Sequence, residues 1–155
     1  MSKNQHYDAL IKNILSSSAR LPEAKRFKSQ DYAVFVRLYF SFFSHSMTAE
    51  CEPKKSAQIA HSHWAMSQNR KKNQPLVRIF NPCKKDHGWE SEHTCVQIVL
   101  DDMPFLVDTA RMMFDRHELI IHHSINTPQV FVKRTVNGRL MRCADNNLND
   151  KSYLR

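Results

Sequence analysis

The stretch Asp101-Asp-Met-Pro-Phe-Leu-Val-Asp108 decides the fold, because it leads from a strand pattern into a helix pattern. Before it, Val96, Ile98 and Leu100 alternate as one face of a predicted strand. After it, Leu106, Ala110 and Met113 recur at helical spacing and predict the buried seam of a helix. Acids and proline suit the first turn of a helix, so the stretch predicts a strand-to-helix junction.

The sequence around this junction predicts further strands. Leu119–Ile125 and Val130–Val136 are rich in β-branched residues, and Asn137-Gly138 predicts a tight hairpin turn into Leu140–Cys143. Upstream, Leu76–Phe80 is another short β-rich run. Strand, helix, strand, strand is the first part of a ferredoxin-like unit. We therefore predict an α+β chain whose residues 75–155 form an incomplete ferredoxin-like antiparallel sheet with one packed helix.

Residues 1–72 predict a helical segment. Apolar residues recur at helical spacing over 7–15, and Asp31 is a predicted N-cap for a second helix. A third helix is expected from about Lys54 to Arg70, followed by a polar linker at 70–74. The stripe of the second helix is wide enough to predict burial on two sides, and it consists of Val34, Phe35, Leu38, Tyr39, Phe42 and Phe43. The stripe of the third consists of Ala57, Ala60 and Trp64.

Composition excludes several classes of protein. The chain has two glycines in 155 residues, whereas phosphate-cradling loops need several, so we predict no cofactor site in this chain. The four cysteines show no Cys-x-x-Cys pairing and no signal peptide precedes them, which predicts reduced thiols and a cytoplasmic location. The longest apolar run, 32–43, is too short and too polar for a membrane span.

The net charge of +8 is unevenly distributed. Eight Lys or Arg residues and no acid lie within 54–85, whereas five acids and no Lys or Arg lie within 86–102. The pattern fits a solvated surface, and it also fits contact with another part of a larger protein.

Several motifs resemble one enzyme family. Val77-Arg-Ile-Phe-Asn-Pro82, then Gly88-Trp89, then the 101–108 octapeptide are similar to the N-terminal region of the large NAD-specific glutamate dehydrogenases. Ile120-Ile-His-His123, and Arg134 with Asn137-Gly-Arg-Leu140, resemble the hairpin that follows in that family. The helical stretch ending in His63-Trp64 also fits, so the resemblance covers roughly residues 30 to 154.

This resemblance implies an ACT-like regulatory segment without catalytic residues of its own. The family's catalytic domain, which binds NAD and converts glutamate to 2-oxoglutarate and ammonia, would lie elsewhere. Expected partners are other domains or subunits of the parent dehydrogenase. Lys151-Ser-Tyr-Leu154 resembles the start of the family's next strand, so we expect the chain to be a piece of a longer reading frame. An open sheet edge then predicts self-association.

The junction is the candidate effector site. Backbone N–H groups at a helix start hold carboxylates, and acids nearby suit an amino group, so a small amino-acid effector is one interpretation. The other is that Asp and Pro only cap and pack the helix. The residues concerned are Asp102, Met103, Pro104, Phe105 and Asp108.

Two other interpretations are weaker. Cys83, His87, His93 and Cys95 are zinc-type ligands, but their spacing matches no common zinc module, and we predict no metal. The alternative function is a small basic nucleic-acid-binding protein with a ferredoxin-like sheet. Such sheets pair exposed aromatics beside glycines, whereas the only strand aromatics here, Phe80 and Phe131, are isolated.

Overall fold

A computed structural model describes residues 3–21, 30–42, 51–127 and 130–144, and within them it shows the predicted α+β class. The helices are α1 (Lys3–Ser18), α2 (Gln30–Tyr39), α3 (Pro53–Ser67), α4 (Lys84–His87) and α5 (Leu106–Arg116). The strands are β1 (Leu76–Phe80), β2 (Cys95–Val99), β3 (Phe131–Arg134) and β4 (Leu140–Ala144).

The core lies among α1, α2 and α3. Ala57 and Ala60 are fully buried on α3, and their small side chains allow α1 to pack closely against this helix. The rings of Tyr32 and Phe35 on α2 contact Trp64 on α3, with centroids 5.7 and 5.0 Å away. The predicted stripes of α1 and α3 are therefore confirmed. On α2 the prediction is right only in part: Phe35 and Tyr39 are buried, but the buried face continues through Tyr32 and Val36, whereas Val34 and Leu38 are half-buried and Phe42 is exposed.

The β3–β4 hairpin completes this core. Cys143 on β4 is buried with the helical residues, and β4 lies against α2. The Cys143 N–H donates to the carboxylate of Asp31 at 3.1 Å. Asp31 was expected as an N-cap, but α2 begins at Gln30 and places Asp31 in its first turn. Burial of α2 on two sides, by helices and by a strand, confirms the prediction from its wide stripe.

The strands form two separate two-stranded antiparallel sheets in the described residues, β1–β2 and β3–β4. The hairpin predicted at Asn137-Gly138 is confirmed: Gly138 has a φ of 86°, which glycine adopts without strain. A Cβ at this position would lie 2.6 Å from the carbonyl oxygen of Arg70, so the close approach of the two segments also requires glycine.

The strand predicted at Leu119–Ile125 is wrong, because the structure has no strand there. Ile120 is 81% exposed, and this run pairs with no other described strand. β-branched residues favour a strand only where a neighbouring strand and a packing surface are present. The strand predicted at Val130–Val136 exists, but only over β3, and Val136 is fully exposed in the turn.

The helix of the junction begins later than its acids and proline predict. Phe105 is its N-cap, with a φ of 60°, so Asp102 and Pro104 precede the helix. The expected burial of Leu106, Ala110 and Met113 is also wrong, since α5 has no buried residue and Met113 is 49% exposed.

Two predicted features lie outside the described residues: Phe43, in the stripe of the second helix, and the segment Lys151–Leu154. Within the described ranges, each helix is too short or too polar to cross a bilayer.

We expect truncation of Trp64 to destabilise the chain strongly. Trp64 is 4% exposed and contacts rings on α2, so Trp64→Ala leaves a cavity that costs about 3–5 kcal/mol of unfolding free energy. Urea unfolding followed by circular dichroism measures it. Val136→Ala, at a fully exposed position, is the control and should change stability by about 0.5 kcal/mol or less. Equal effects of the two variants would contradict this core.

Candidate functional site

The junction is anchored by an ion pair between Asp101 and Arg70. The guanidinium donates from both terminal nitrogens to the two carboxylate oxygens, with Nη1 to Oδ2 at 3.0 Å. The Asn73 N–H also donates to Oδ2, at 2.8 Å. The first acid of the octapeptide therefore fixes the end of β2 to the segment that follows α3.

Arg70 also holds the β3–β4 hairpin. Its side chain is 6% exposed, and Nη1 donates to the carbonyl of Gln74 at 3.2 Å. Its backbone N–H donates to the carbonyl of Gly138 at 2.9 Å, and Leu140 N–H donates to the carbonyl of Gln68 at 2.7 Å. The Gln68 carbonyl, just after α3, and the Gly138 carbonyl, in the hairpin turn, therefore each accept a backbone N–H from the other segment.

The ion pair shifts the titration of Asp101. The hydrogen bonds from Arg70 hold the pKa of Asp101 at about 2, below its ordinary value of 3.8, and the Asn73 N–H acts in the same direction. Asp101 therefore stays ionised at every physiological pH.

The five candidate effector residues form one exposed turn and the first turn of α5. Asp102, Met103, Pro104, Phe105 and Asp108 are all exposed. Phe105 makes no side-chain capping bond, and Asp108 lies in the first turn, where a negative charge is favourable. The structure therefore assigns the helix start to Phe105, and Asp102 and Pro104 do not cap it.

Two open grooves lie away from this turn. One, of about 640 Å³, follows the C-terminal end of α5 and the segment after it, from Arg111 to Ser124. The other, of about 680 Å³, lies between α1 and Arg37 of α2. Neither groove is lined by a candidate effector residue.

A polar seam joins α3 to the inner face of the β1–β2 sheet. Arg78 of β1 donates to the hydroxyl of Ser62 and to the side-chain carbonyl of Gln97, which is 3% exposed. His63 donates from Nε2 to the carbonyl of Ile98 at 3.2 Å, and its Nδ1 accepts from the Tyr39 hydroxyl at 3.3 Å. Burial lowers the pKa of His63 below its ordinary 6.5, so the ring is neutral at pH 7.

The cysteine and histidine residues weighed as metal ligands do not converge. Cys83 Sγ lies 3.8 Å from Nδ1 of His87, whereas the ring of His93 stacks on that of His122 at 4.0 Å. No group of three or more His, Cys, Asp or Glu residues within the described ranges has the arrangement of a metal site.

The aromatic residues of the nucleic-acid alternative also lie apart. Phe80 stacks on His87 at 4.6 Å and meets Trp89 edge-on, whereas Phe131 belongs to the other sheet. Two rings in separate sheets do not form the stacking platform that base recognition needs.

Sequence reasoning missed Arg70, the main partner of the junction. It stands in a run of Lys and Arg residues that predicts a solvated surface, and nothing in the sequence pairs it with an acid 31 positions away. The available signal was its position shortly after a helix, where a cationic side chain can interact favourably with the last carbonyls of that helix.

Comparison with known proteins agrees with the resemblance. The family described as "Glutamate dehydrogenase, ACT1 domain" matches residues 35–155. The NAD-specific glutamate dehydrogenase of Pseudomonas aeruginosa is 33% identical over 107 residues, covering 69% of this chain and 6% of that protein. The NAD-specific glutamate dehydrogenase of Halomonas elongata is 37% identical over 83 residues, covering 54% and 5%. No solved structure gives a significant match.

The helices, the two antiparallel sheets and the family match define an α+β domain of the ACT-like class. The chain belongs to the glutamate dehydrogenase ACT1 domain family. It spans only 5–6% of the length of the two dehydrogenases that it matches.

We expect Asp101→Asn to destabilise the chain by about 1–3 kcal/mol at pH 7, because it leaves the buried guanidinium of Arg70 without a counter-charge. We expect a destabilisation near the lower end of this range, because Asp101 is 41% exposed and water screens the ion pair. Since the pKa is lowered on folding, the contribution of the pair is complete above pH 3.8 and is lost as pH falls towards 2.

Urea unfolding between pH 7 and 2 measures this effect. The parent chain should lose stability over this window relative to Asp101→Asn, so that the difference between them shrinks. Asp115→Asn, at an exposed position of α5, is the control and should follow the parent chain. A difference that does not change with pH would contradict the role of the ion pair.

Proposed function

We propose that this chain is a non-catalytic, N-terminal regulatory and assembly domain of a large NAD-dependent glutamate dehydrogenase. The family match over residues 35–155 carries the proposal, since both relatives are named as NAD-specific glutamate dehydrogenases. More than nine-tenths of each relative lies outside the matched region. Conversion of glutamate to 2-oxoglutarate and ammonia, with NAD as the oxidant, would be carried out by other parts of the parent polypeptide.

The described side chains support a non-catalytic role. Cys83 Sγ lies 3.8 Å from Nδ1 of His87, but its thiol donates to Asp86 at 3.2 Å. Nδ1 of the neighbouring His87 already accepts the Cys83 N–H at 3.2 Å. An activated nucleophile needs a base with a free lone pair, and here that lone pair is engaged.

The glycines likewise support the absence of a dinucleotide site in this chain. Gly88 ends α4 in a left-handed conformation, and Gly138 forms the turn of the β3–β4 hairpin. Both glycines therefore serve turns, and the chain has no others to let a backbone approach a pyrophosphate.

Exposed apolar side chains support an assembly role. Phe105 is 78% exposed, Ile120 is 81% exposed and Val136 is fully exposed. Burying such residues against a partner is favourable, and the rest of the parent polypeptide is the partner that we propose. The described cysteines are free thiols, which suits the reduced cytosol in which we place the enzyme.

The regulatory part of the proposal concerns the exposed turn before α5. An amino-acid effector would place its ammonium group against Asp102 and Asp108 and its carboxylate near free backbone N–H groups at the start of α5. The ion pair with Arg70 holds Asp101 in place, so the turn that a ligand would contact starts from a fixed position.

We expect the chain to associate with a dehydrogenase of this family from which the matching N-terminal segment has been removed. Sedimentation velocity should show a complex, because the exposed apolar side chains become buried. Ile120→Asp should weaken the complex, since burying a carboxylate is costly. Lys133→Ala, an exposed change on β3, is the control.

The same preparations test the catalytic assignment. With glutamate and NAD, the chain alone should give no NADH, whereas the truncated dehydrogenase provides the positive control. Turnover by the chain alone would refute the non-catalytic role, and failure to associate at any concentration would refute the assembly role.

We expect calorimetric titration of the chain with amino acids and dicarboxylic acids to give heat with at least one compound. The double variant Asp102→Asn, Asp108→Asn should lose most of that heat, because the proposed ammonium contacts are removed. Asp115→Asn, on the same helix, should retain it. The absence of heat with every compound would remove the regulatory role and leave only assembly.

A further inference from the structure

His63 lies at the contact between the helical core and the β1–β2 sheet. Its ring meets the ring of Tyr39 on α2 edge-on, with centroids 5.5 Å apart. Its Nδ1 accepts the Tyr39 hydroxyl at 3.3 Å, and its Nε2 donates to the carbonyl of Ile98 on β2 at 3.2 Å. The imidazole of α3 therefore joins three elements of the fold.

This bonding pattern requires a neutral ring. A carbonyl oxygen only accepts hydrogen bonds, so the ring carries its proton on Nε2 and accepts through Nδ1. In the imidazolium both nitrogens are donors. The Tyr39 hydroxyl would then turn its proton away from the acceptor that it has in the described structure, and a buried donor would lose its partner.

The groups around the ring also oppose a positive charge. Arg78 of β1 lies on the same seam, and its guanidinium repels an imidazolium. Burial raises the pKa of Tyr39 and of the nearby Cys95 thiol, so both are uncharged between pH 7 and 5. Within the described residues, neither nitrogen of His63 bonds to a carboxylate. Burial, and to a lesser degree the charge of Arg78, therefore lower the pKa of His63 below 6.5.

The sheet and its loop are attached to the α3 region at two further places. After β2, Asp101 bonds to Arg70, and its pKa of about 2 keeps this pair charged at pH 5. Between β1 and β2, the Trp89 ring lies 5.9 Å from the ammonium of Lys55, a cation–π contact. Neither contact includes a histidine, the side chain that normally titrates between pH 5 and 8.

We propose that His63 is an acid-sensitive latch on the contact between α3 and β2. Protonation of Nδ1 breaks the hydrogen bond from Tyr39 and opens the seam at this point, while the Arg70–Asp101 pair keeps the sheet attached. The open form uncovers the Tyr39 ring and the side chain of Gln97. The inference does not depend on an effector or on the parent enzyme.

The direction of the pH dependence follows from the two protonation states. The closed form holds a neutral ring, whereas the ring of the open form takes up a proton near its ordinary pKa of 6.5. The latch is therefore fully effective above pH 6.5. Below this pH, and down to the pKa of the closed form, the ratio of open to closed chains rises by up to about tenfold for each pH unit.

Hydroxyl-radical footprinting tests the latch, because it oxidises accessible tyrosine rings and mass spectrometry locates the product. Tyr39 and Tyr32 are both on α2, and they are 4% and 2% exposed. Tyr39 contacts His63, whereas Tyr32 packs on Trp64 in the helical core and reports on general unfolding. We expect the ratio of Tyr39 to Tyr32 oxidation to rise about tenfold between pH 7 and pH 5.

His63→Gln should abolish this rise, because an amide both donates and accepts but does not titrate. His117→Gln, the same change at an exposed position after α5, is the matched control and should keep the rise. If His63→Gln unfolds, an NMR titration of the His63 ring in the parent chain replaces it, and its midpoint should lie below pH 6.5.

Three results would overturn the latch. The first is a ratio that does not change with pH in the parent chain. The second is a rise that persists in a folded His63→Gln chain, or a titration midpoint of His63 at pH 6.5 or above. The third is oxidation of Tyr32 in step with Tyr39, because the whole core would then unfold in acid.

Discussion

The described structure depends on one ion pair, between the buried guanidinium of Arg70 and the carboxylate of Asp101. The helical core, the β1–β2 sheet and the β3–β4 hairpin meet at this point, and short polar contacts join each of them to the 68–74 segment. A buried arginine is costly unless its charge is compensated, so this corner is stable only with the acid in place. That requirement gives the first residue of the octapeptide a structural role.

Asp101 is engaged in the ion pair, whereas the residues that follow it in the octapeptide lie at the surface. Residues 102–105 form an exposed turn, and Phe105 begins α5 in a strained conformation. A cluster of exposed apolar side chains such as Met103 and Phe105 is typical of a surface that binds a partner. The chain matches only 5–6% of the length of its relatives, and we propose that the rest of such an enzyme supplies the partner. This is the reason for proposing assembly and regulation.

The sequence predicts what depends on local period and turn chemistry. Residue spacing predicts the bounds of β1 and the buried stripe of α3. The need for glycine predicts the turn at Asn137-Gly138. It does not predict what depends on distant neighbours. Alternation in β2 identifies two faces but not which one packs on α3, and no spacing rule joins Arg70 to Asp101. The effector residues and the boundary at 70–74 remain predictions.

Amide hydrogen exchange tests most directly whether this corner holds the parts of the chain together. The N–H groups of Asn73 and Leu140 bond to Asp101 and to Gln68, on two sides of the Arg70 segment. We predict that both exchange with the same opening free energy, and that Arg70→Gln accelerates both by the same factor. Fast exchange of Leu140 with unchanged protection of Asn73 would show that the hairpin opens independently, and would contradict the central role of the ion pair.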